Sequence, residues 1–224
     1  MYIGERKLGI ERSRFVPPPH DYLATGISDW EKWVNADDHP LLVKAAVGHY
    51  QFETLHPFSD GNGRLGRLIV TLQLVQAEAL KYPVLNLSPW FEPRKDQYKD
   101  LLLAVSRTGE YDDWLQFFFI AVAAQADDAV HRIDDLMEAR SDFLSLLRAD
   151  GAKGVVLEIV DDLIGYPVIT PTQAARLHGV TYPPAAKAIE RLERLGVLNE
   201  ITGRSYGRVF VCDRVMRIVD RPGR

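Results

Sequence analysis

The stretch Leu55–Arg67 reads Leu-His-Pro-Phe-Ser-Asp-Gly-Asn-Gly-Arg-Leu-Gly-Arg and predicts a loop that leads into a helix. Pro57 cannot continue a helix that arrives from the N-terminal side, and Gly61 and Gly63 permit backbone angles that a β-carbon disfavours. A new helix is predicted directly afterwards, because apolar residues recur at helical spacing from Leu65 onward. The glycines therefore lie at the N-terminus of a helix, where backbone N–H groups lack partners.

A helix N-terminus of this kind attracts anions, and phosphate is the usual guest, because the free amides and the helix dipole act together. Arg64 and Arg67 are three residues apart, so their guanidinium groups project from one face and can clamp phosphate oxygens. His56 and Asp60 add an imidazole and a carboxylate. A purely structural helix entry stays open as the alternative. A Walker-type phosphate loop fits worse, because neither a Gly-Lys-Ser/Thr ending nor a preceding strand-like run is present.

Residues His56–Arg67 fill every specified position of the pattern His-Pro-Phe-x-Asp/Glu-Gly-Asn-Gly-Arg-x-x-Arg, which is the signature of the Fic family, and the chain resembles that family. The likeness extends over Phe15–Pro19, Ala46–Leu55 and Leu87–Phe119. It implies a mainly α-helical Fic-type domain at residues 1–150, with a β-hairpin flap at residues 1–19 that would pair with the backbone of a target protein. The chain departs from the family pattern at Trp90, Arg94 and Lys95, where the family usually has Tyr, Asn and Arg.

The resemblance implies transfer of AMP from ATP to a Ser, Thr or Tyr hydroxyl of a target protein. His56 would be the general base, and Asp60 would hold Mg²⁺. The phosphates would be bound by a set of backbone amides and side chains: Gly61, Asn62, Gly63, Arg64 and Arg67. Arg67 would grip the γ-phosphate, and Asn62 would add a side-chain donor. Phe58 would anchor the loop to the core without a catalytic role.

Composition limits the class of protein. A hydrophobic content of 46% in 224 residues is enough for a folded core of one large or two small domains. No long apolar run and no signal peptide are visible, so we expect neither a membrane span nor export. The single cysteine, Cys212, excludes an internal disulfide and favours the cytoplasm. The net charge of −4 argues against strong generic binding to nucleic acid.

Residues 151–224 differ in charge from the rest of the chain, with a net +3 against −7 for residues 1–150. Their pattern of three helices followed by two β-rich runs predicts a small winged helix-turn-helix domain. We expect its third helix to begin at Tyr182 and to bury Ala185, Ala188, Ile189, Leu192 and Leu195. The basic side chains that would meet DNA or a partner are those of Lys187, Arg191, Arg194, Arg204 and Arg208. DNA binding and docking or dimerisation both stay open, because Glu190 and Glu193 lie on the same helix.

Two functions compete with AMP transfer. One is a nucleotide-sensing DNA-binding regulator, and the other is Fic-type transfer of another phosphate-containing group. Retention of Asp60 and both arginines favours a triphosphate donor. Fic-like enzymes are commonly restrained by a helix of pattern Ser/Thr-x-x-x-Glu-Gly/Asn, which this chain lacks because Pro93 and Tyr111 follow the only two eligible glutamates. We therefore expect an unpaired Arg67 and activity without an activator.

Overall fold

The computed structural model describes residues 15–36 and 39–221, and these are mainly α-helical. They divide into two compact units after Ala129, within one long helix. The predicted flap hairpin at residues 1–19 falls largely outside the described part of the chain. In the described residues, no helix is both long and apolar enough to cross a membrane. The helices are α1 His20–Asn35, α2 Leu41–Leu55, α3 Asn62–Gln76, α4 Ser88–Phe91, α5 Lys95–Thr108, α6 Asp112–Ala149, α7 Val155–Gly165, α8 Pro171–Leu177, α9 Tyr182–Arg194 and α10 Asp213–Asp220.

In the first unit, α2 lies close to α1 and packs against α3. A β-carbon built on Gly26 would stand 2.6 Å from the side chain of Leu55, and one built on Gly48 would stand 3.1 Å from Val34. Glycine at these two positions lets α1 and α2 approach closely. Trp30 of α1 donates a hydrogen bond of 2.9 Å from its indole to the carbonyl of Gly48. Ser28 and Asp29 are of residue types that often cap helices, but they lie inside α1, which begins at His20.

An aromatic cluster fills the core of the first unit behind α2. Trp114 of α6 is fully buried, and its indole donates to the carbonyl of Ala46 at 2.9 Å. The imidazole of His49 stacks nearly parallel to Trp114, with the ring centroids 6.0 Å apart and the planes at 13°. The middle of α2 is thus held against α6. Other buried members of the cluster are Tyr50, Val70, Leu74, Leu87, Trp90, Phe91, Phe117 and Phe118.

The second unit follows the predicted order of elements. Strand β1 (Val168–Ile169) and strand β2 (Asn199–Glu200) pair antiparallel with β3 (Phe210–Val211), which gives the sheet order β1-β3-β2. Helix α9 buries Ala185, Ala188, Ile189 and Leu192, as its periodicity predicts. Helix α10 was not predicted. The order of helices and strands is that expected of a winged helix-turn-helix domain, and the assignment to that class stays a prediction.

The boundary between the units differs from the predicted one at residue 150. Ala139, Phe143 and Leu147 of α6 belong to the same buried cluster as Ile159 and Leu192 of the second unit. The apolar face of α6 beyond Ala129 therefore packs with the C-terminal elements, although its charged residues are typical of a solvated helix.

Candidate active site

Helix α2 delivers His56 to the loop. His56 closes α2 in the left-handed region (φ 47°, ψ 57°), and its backbone N–H still bonds the carbonyl of Phe52 at 3.0 Å. A residue with a β-carbon seldom adopts these backbone angles, because they are unfavourable for it. The packing of α2 and the following Pro57, which cannot extend the helix, hold His56 in this conformation. The imidazole is consequently turned away from the helix axis and lines a cavity.

The protonation state of His56 follows from its surroundings. Its Nδ1 lies 3.3 Å from the carbonyl oxygen of Glu53, which only accepts hydrogen bonds, so Nδ1 carries the proton and Nε2 keeps its lone pair. Burial lowers the pKa of His56 from its ordinary value of 6.5. His56 is therefore neutral at pH 7 and has a nitrogen available to accept a proton.

The loop between His56 and α3 is held by the side chain of Asn62. Its Oδ1 accepts from the backbone N–H of Phe58 at 2.9 Å, and its Nδ2 donates to the carbonyl of Phe58 at 2.7 Å. Asn62 is buried, whereas the side chain of Phe58 is 50% exposed. The expected anchoring by Phe58 is therefore wrong, and in this structure the Asn62 amide closes the loop where a phosphate contact was expected.

The N-terminus of α3 begins at Gly61, whose φ of 87° requires the conformational freedom of glycine. The N–H of Gly61 donates to Oδ1 of Asp60 at 2.8 Å, so this amide is engaged within the loop. Among the described residues, no hydrogen-bond partner is recorded for the backbone amides of Asn62, Gly63 and Arg64. These three amides, and not that of Gly61, are placed to meet an anion, and phosphate binding at this helix N-terminus stays a prediction.

Asp60 and Arg64 lie on the exposed side of the loop. Oδ2 of Asp60 is 3.4 Å from the guanidinium of Arg64, and both side chains are largely exposed to solvent. Within the described residues, no three His, Cys, Asp or Glu side chains gather as a metal-binding group. A single carboxylate suits Mg²⁺ only where the phosphates of a nucleotide supply further oxygens, and this fits Asp60 as the one protein ligand.

Arg67 lies one turn further along α3 and reaches into the cavity. Its Nε donates to the hydroxyl of Ser88 at 2.7 Å, which is a neutral partner, so the expectation that no inhibitory glutamate pairs with Arg67 stays a prediction. A β-carbon on Gly63 would come within 3.1 Å of its Nη1. The guanidinium of Arg67 thus bonds Ser88 and lies against Gly63, near the N-terminus of α3.

The cavity itself has a volume of about 420 Å³. His56, Gly63 and Arg67 line it, and residues that the sequence analysis did not assign to the site line the rest: Phe15, Glu53, Thr54, Ser88, Phe91, Glu92, Lys95, Tyr98, Lys99, Leu102, Leu103 and Ser106. Glu53 could have been found by spacing, because it precedes His56 by three residues and so shares its face of α2. Trp90 and Arg94 do not line this cavity. The guanidinium carbon of Arg94 lies 4.4 Å from the ring centroid of Trp90, and both residues line a different cavity.

The basic residues predicted for the C-terminal domain fall into two groups. Arg191 forms an ion pair of 2.5 Å with Asp150, and Arg208 forms one of 3.1 Å with Glu190. The others, Lys187, Arg194 and Arg204, are exposed. The charge available to a nucleic acid on this unit is accordingly smaller than the sequence suggests.

Comparison with known proteins connects the loop and its helices to a family. The model of the Fic/DOC family matches residues 2–74, which include α2, the loop and most of α3. The chain is 29% identical over 133 residues to protein adenylyltransferase fic-1 of Caenorhabditis elegans, covering 58% of this chain and 24% of that protein. It is 33% identical over 106 residues to protein adenylyltransferase Fic of Culex quinquefasciatus, covering 46% of this chain and 20% of that protein.

The chain thus spans about a quarter or less of the length of these curated relatives. Among solved structures, a Fic family protein from Desulfovibrio desulfuricans G20 aligns with 88% of this chain and 56% of its own, at 21% identity and a TM-score of 0.46.

Proposed function

We propose that this chain, whose residues 2–74 match the model of the Fic/DOC family, transfers AMP from ATP to a hydroxyl side chain of a target protein and releases pyrophosphate. The names of the curated relatives support this activity. The observation that carries the proposal is the neutral imidazole of His56, with a free Nε2, on the wall that also holds Arg67 and the N-terminus of α3.

The reaction divides between these groups. The target's hydroxyl oxygen attacks the α-phosphorus of ATP, a new P–O bond forms, and the bond from the α-phosphorus to the oxygen bridging to the β-phosphate breaks. His56 Nε2 takes the hydroxyl proton as general base. The amides of Asn62, Gly63 and Arg64 stabilise charge on the phosphate oxygens, and Arg67 binds the outer phosphates of the leaving group. Mg²⁺ held by Asp60 would offset negative charge on the phosphates.

The acceptor is proposed to be Ser, Thr or Tyr of a protein whose segment lies along the mouth of the cavity. Two other functions remain as candidates: transfer of a different phosphate-containing group by the same residues, and nucleotide sensing coupled to DNA binding. The presence of both Arg64 and Arg67 favours a triphosphate donor and so weighs against the first of these two functions. The ion pairs of Arg191 and Arg208 weigh against the second.

The test is incubation with Mg²⁺ and ATP labelled at the α-phosphate, in parallel with ATP labelled at the γ-phosphate, in cell extract. AMP transfer predicts protein bands labelled from the α-phosphate alone. His56→Ala should lower the rate by about 10²–10⁴-fold while ATP affinity stays within a few-fold, because the base acts on the nucleophile. Bands labelled from the γ-phosphate that appear only when the chain is added would show phosphoryl transfer, and wild-type turnover by His56→Ala would contradict the mechanism.

A further inference from the structure

Glu53 is a buried carboxyl group on the wall of the cavity, and the reaction as written does not use it. Its side chain is only 9% exposed, and its Oε1 is fully buried without a hydrogen-bond partner among the described residues. Buried carboxylates are normally paired or hydrogen-bonded, because an isolated one costs several kcal/mol. Glu53 also lines the cavity, so its ionisation acts on the charge that a ligand bound there would meet.

The position of Glu53 relates it to the phosphate arginine. A β-carbon on Gly66 would stand 2.9 Å from Glu53 Oε1, and one on Gly63 would stand 3.6 Å from the same oxygen and 3.1 Å from Arg67 Nη1. The carboxyl therefore lies beside the first turn of α3, next to the guanidinium. Arg67 is also the charged group that acts on it electrostatically.

Other titratable groups face Glu53 from each neighbouring element. From α2 itself come His49, whose pKa burial lowers to about 4, and His56. Helix α5 contributes Tyr98, whose phenol bonds His49 at 2.8 Å, and the cavity-lining Lys95 and Lys99. The 3₁₀ turn Glu92–Arg94 contributes Glu92. His49 and Tyr98 are uncharged at neutral pH, so Arg67 is the cation next to the carboxyl.

We propose that Glu53 controls triphosphate binding by its protonation state, as a positioning residue for Arg67. Ionised Glu53 offsets the charge of Arg67 and repels the phosphates. Protonated Glu53 leaves the whole charge of Arg67 to the ligand and presents an O–H donor to it. The inference rests on the proposed function, since it takes the ligand to be a nucleoside triphosphate.

A consequence is that ATP binding takes up a proton near neutral pH. Burial raises the pKa of Glu53 to about 7, in spite of the opposing charge of Arg67, so both forms are present at physiological pH. If only the protonated form binds ATP well, affinity is nearly constant below pH 7 and falls above it. If one proton is taken up on binding, ATP affinity falls about tenfold between about pH 6 and about pH 8.

The experiment is calorimetric titration of the full chain with ATP and Mg²⁺ at several pH values, in buffers of different ionisation enthalpy. Wild type should show the tenfold loss and a net proton uptake near pH 7. Glu53→Gln, which keeps the shape of the protonated acid, should bind at about pH 8 as tightly as wild type does at about pH 6. Titration of the phosphates of ATP contributes equally to both proteins and cancels in the comparison.

The matched control is Glu92→Gln, which removes one negative charge from the same cavity. It should change ATP affinity by the same factor at every pH and leave the slope of affinity against pH unchanged. Glu53→Asp keeps a carboxyl and should keep a slope, which guards against a folding defect in the Gln variant. If Glu53→Gln retains the wild-type pH slope and proton uptake, the inference is overturned.

Failure of the inference is distinguishable from failure of the proposed function. If labelled AMP is transferred from ATP but the slope does not depend on Glu53, only the role of Glu53 is wrong. If the chain binds no ATP at any pH and labels nothing, the proposed function and the inference fail together. Inorganic triphosphate, titrated in parallel, should show the same difference in slope between wild type and Glu53→Gln as ATP does, because the effect acts on the phosphates and not on the base.

Discussion

Gly66 is a residue at which α3 lies close to side chains of α2. A β-carbon there would lie 2.9 Å from Glu53 Oε1 and 3.0 Å from the ring of His49, and real β-carbons do not approach so near. His49 is held by Trp114 and by Tyr98, so it has little room to move. We predict that Gly66→Ala lowers the free energy of unfolding by about 1–3 kcal/mol, as measured by denaturant titration.

The control for this substitution is Gly165, the last residue of α7. Nothing lies within 4 Å of a β-carbon built there, and its φ is not in the left-handed region. Gly165→Ala should leave stability unchanged or raise it by a few tenths of a kcal/mol, because alanine has the higher helix propensity. Equal effects of the two substitutions would show that close packing at Gly66 is not what glycine provides.

His56 makes a second residue-scale prediction, on pH. Because burial lowers the pKa of its imidazole below 6.5, the base form predominates at neutral pH. The kcat for AMP transfer at saturating ATP should fall as pH drops through the lowered pKa and level off on the alkaline side of it. Measuring kcat apart from KM separates this effect from that of Glu53, which acts on ATP binding. A kcat that rises steadily above pH 7 would contradict His56 as the base.

At the scale of elements, the sequence was enough to locate a helix end where capping residues agreed with the hydrophobic periodicity. Helix α8 begins at Pro171 as predicted, and Thr170 and Gln173 form a reciprocal capping box. Helix α5 ends at Gly109, whose φ of 78° requires a glycine. Signals failed in α1, where Ser28 and Asp29 resembled caps. Asp29 instead bonds Lys32 at 3.3 Å on an exposed helix face, and the helix begins after Pro19.

Only those residues of the candidate site that lie close together along the chain could be predicted from the sequence. His56, Gly63 and Arg67 lie within twelve consecutive residues, and the structure brings them to one cavity. Ser88, Tyr98 and Lys99 come from distant parts of the sequence, and only tertiary packing shows that they share this cavity. The role of Phe58 was mistaken for the same reason, because burial of a single loop side chain depends on what packs over it.

Helix α9 carries the prediction about nucleic acid. Of its outward basic residues, Arg191 is neutralised by Asp150, which leaves Lys187 and Arg194. We expect the full chain to bind a mixed-sequence DNA duplex no more tightly than about 10⁻⁶ M at physiological salt, as nonspecific binding does. Fluorescence anisotropy over a salt series measures this. Tight, sequence-dependent binding that Lys187→Glu abolishes would restore the reading of this unit as a DNA reader.

The whole molecule has two cores, and the division between them governs how it can be cut. All residues that line the candidate active site lie between Phe15 and Ser106. The buried residues of α6 divide between the two cores. The first core contains Trp114, Phe118 and Ala121, and the second contains Ala139, Phe143 and Leu147. Helical periodicity is nearly unbroken in the sequence of this region, but it cannot show where one core gives way to the other.

Two truncations test this division. Ending the chain at Ala129 should retain AMP transfer at a rate within a few-fold of the full chain, because it keeps the first core and the entire site. Ending it at Asp150 leaves Phe143 and Leu147 without the elements that bury them, so this protein should bind hydrophobic dyes and aggregate more readily. Light scattering, dye fluorescence and the labelling rate distinguish the two. If the shorter protein is folded by circular dichroism yet transfers no AMP, the second unit contributes to catalysis, and the site is not confined to the first.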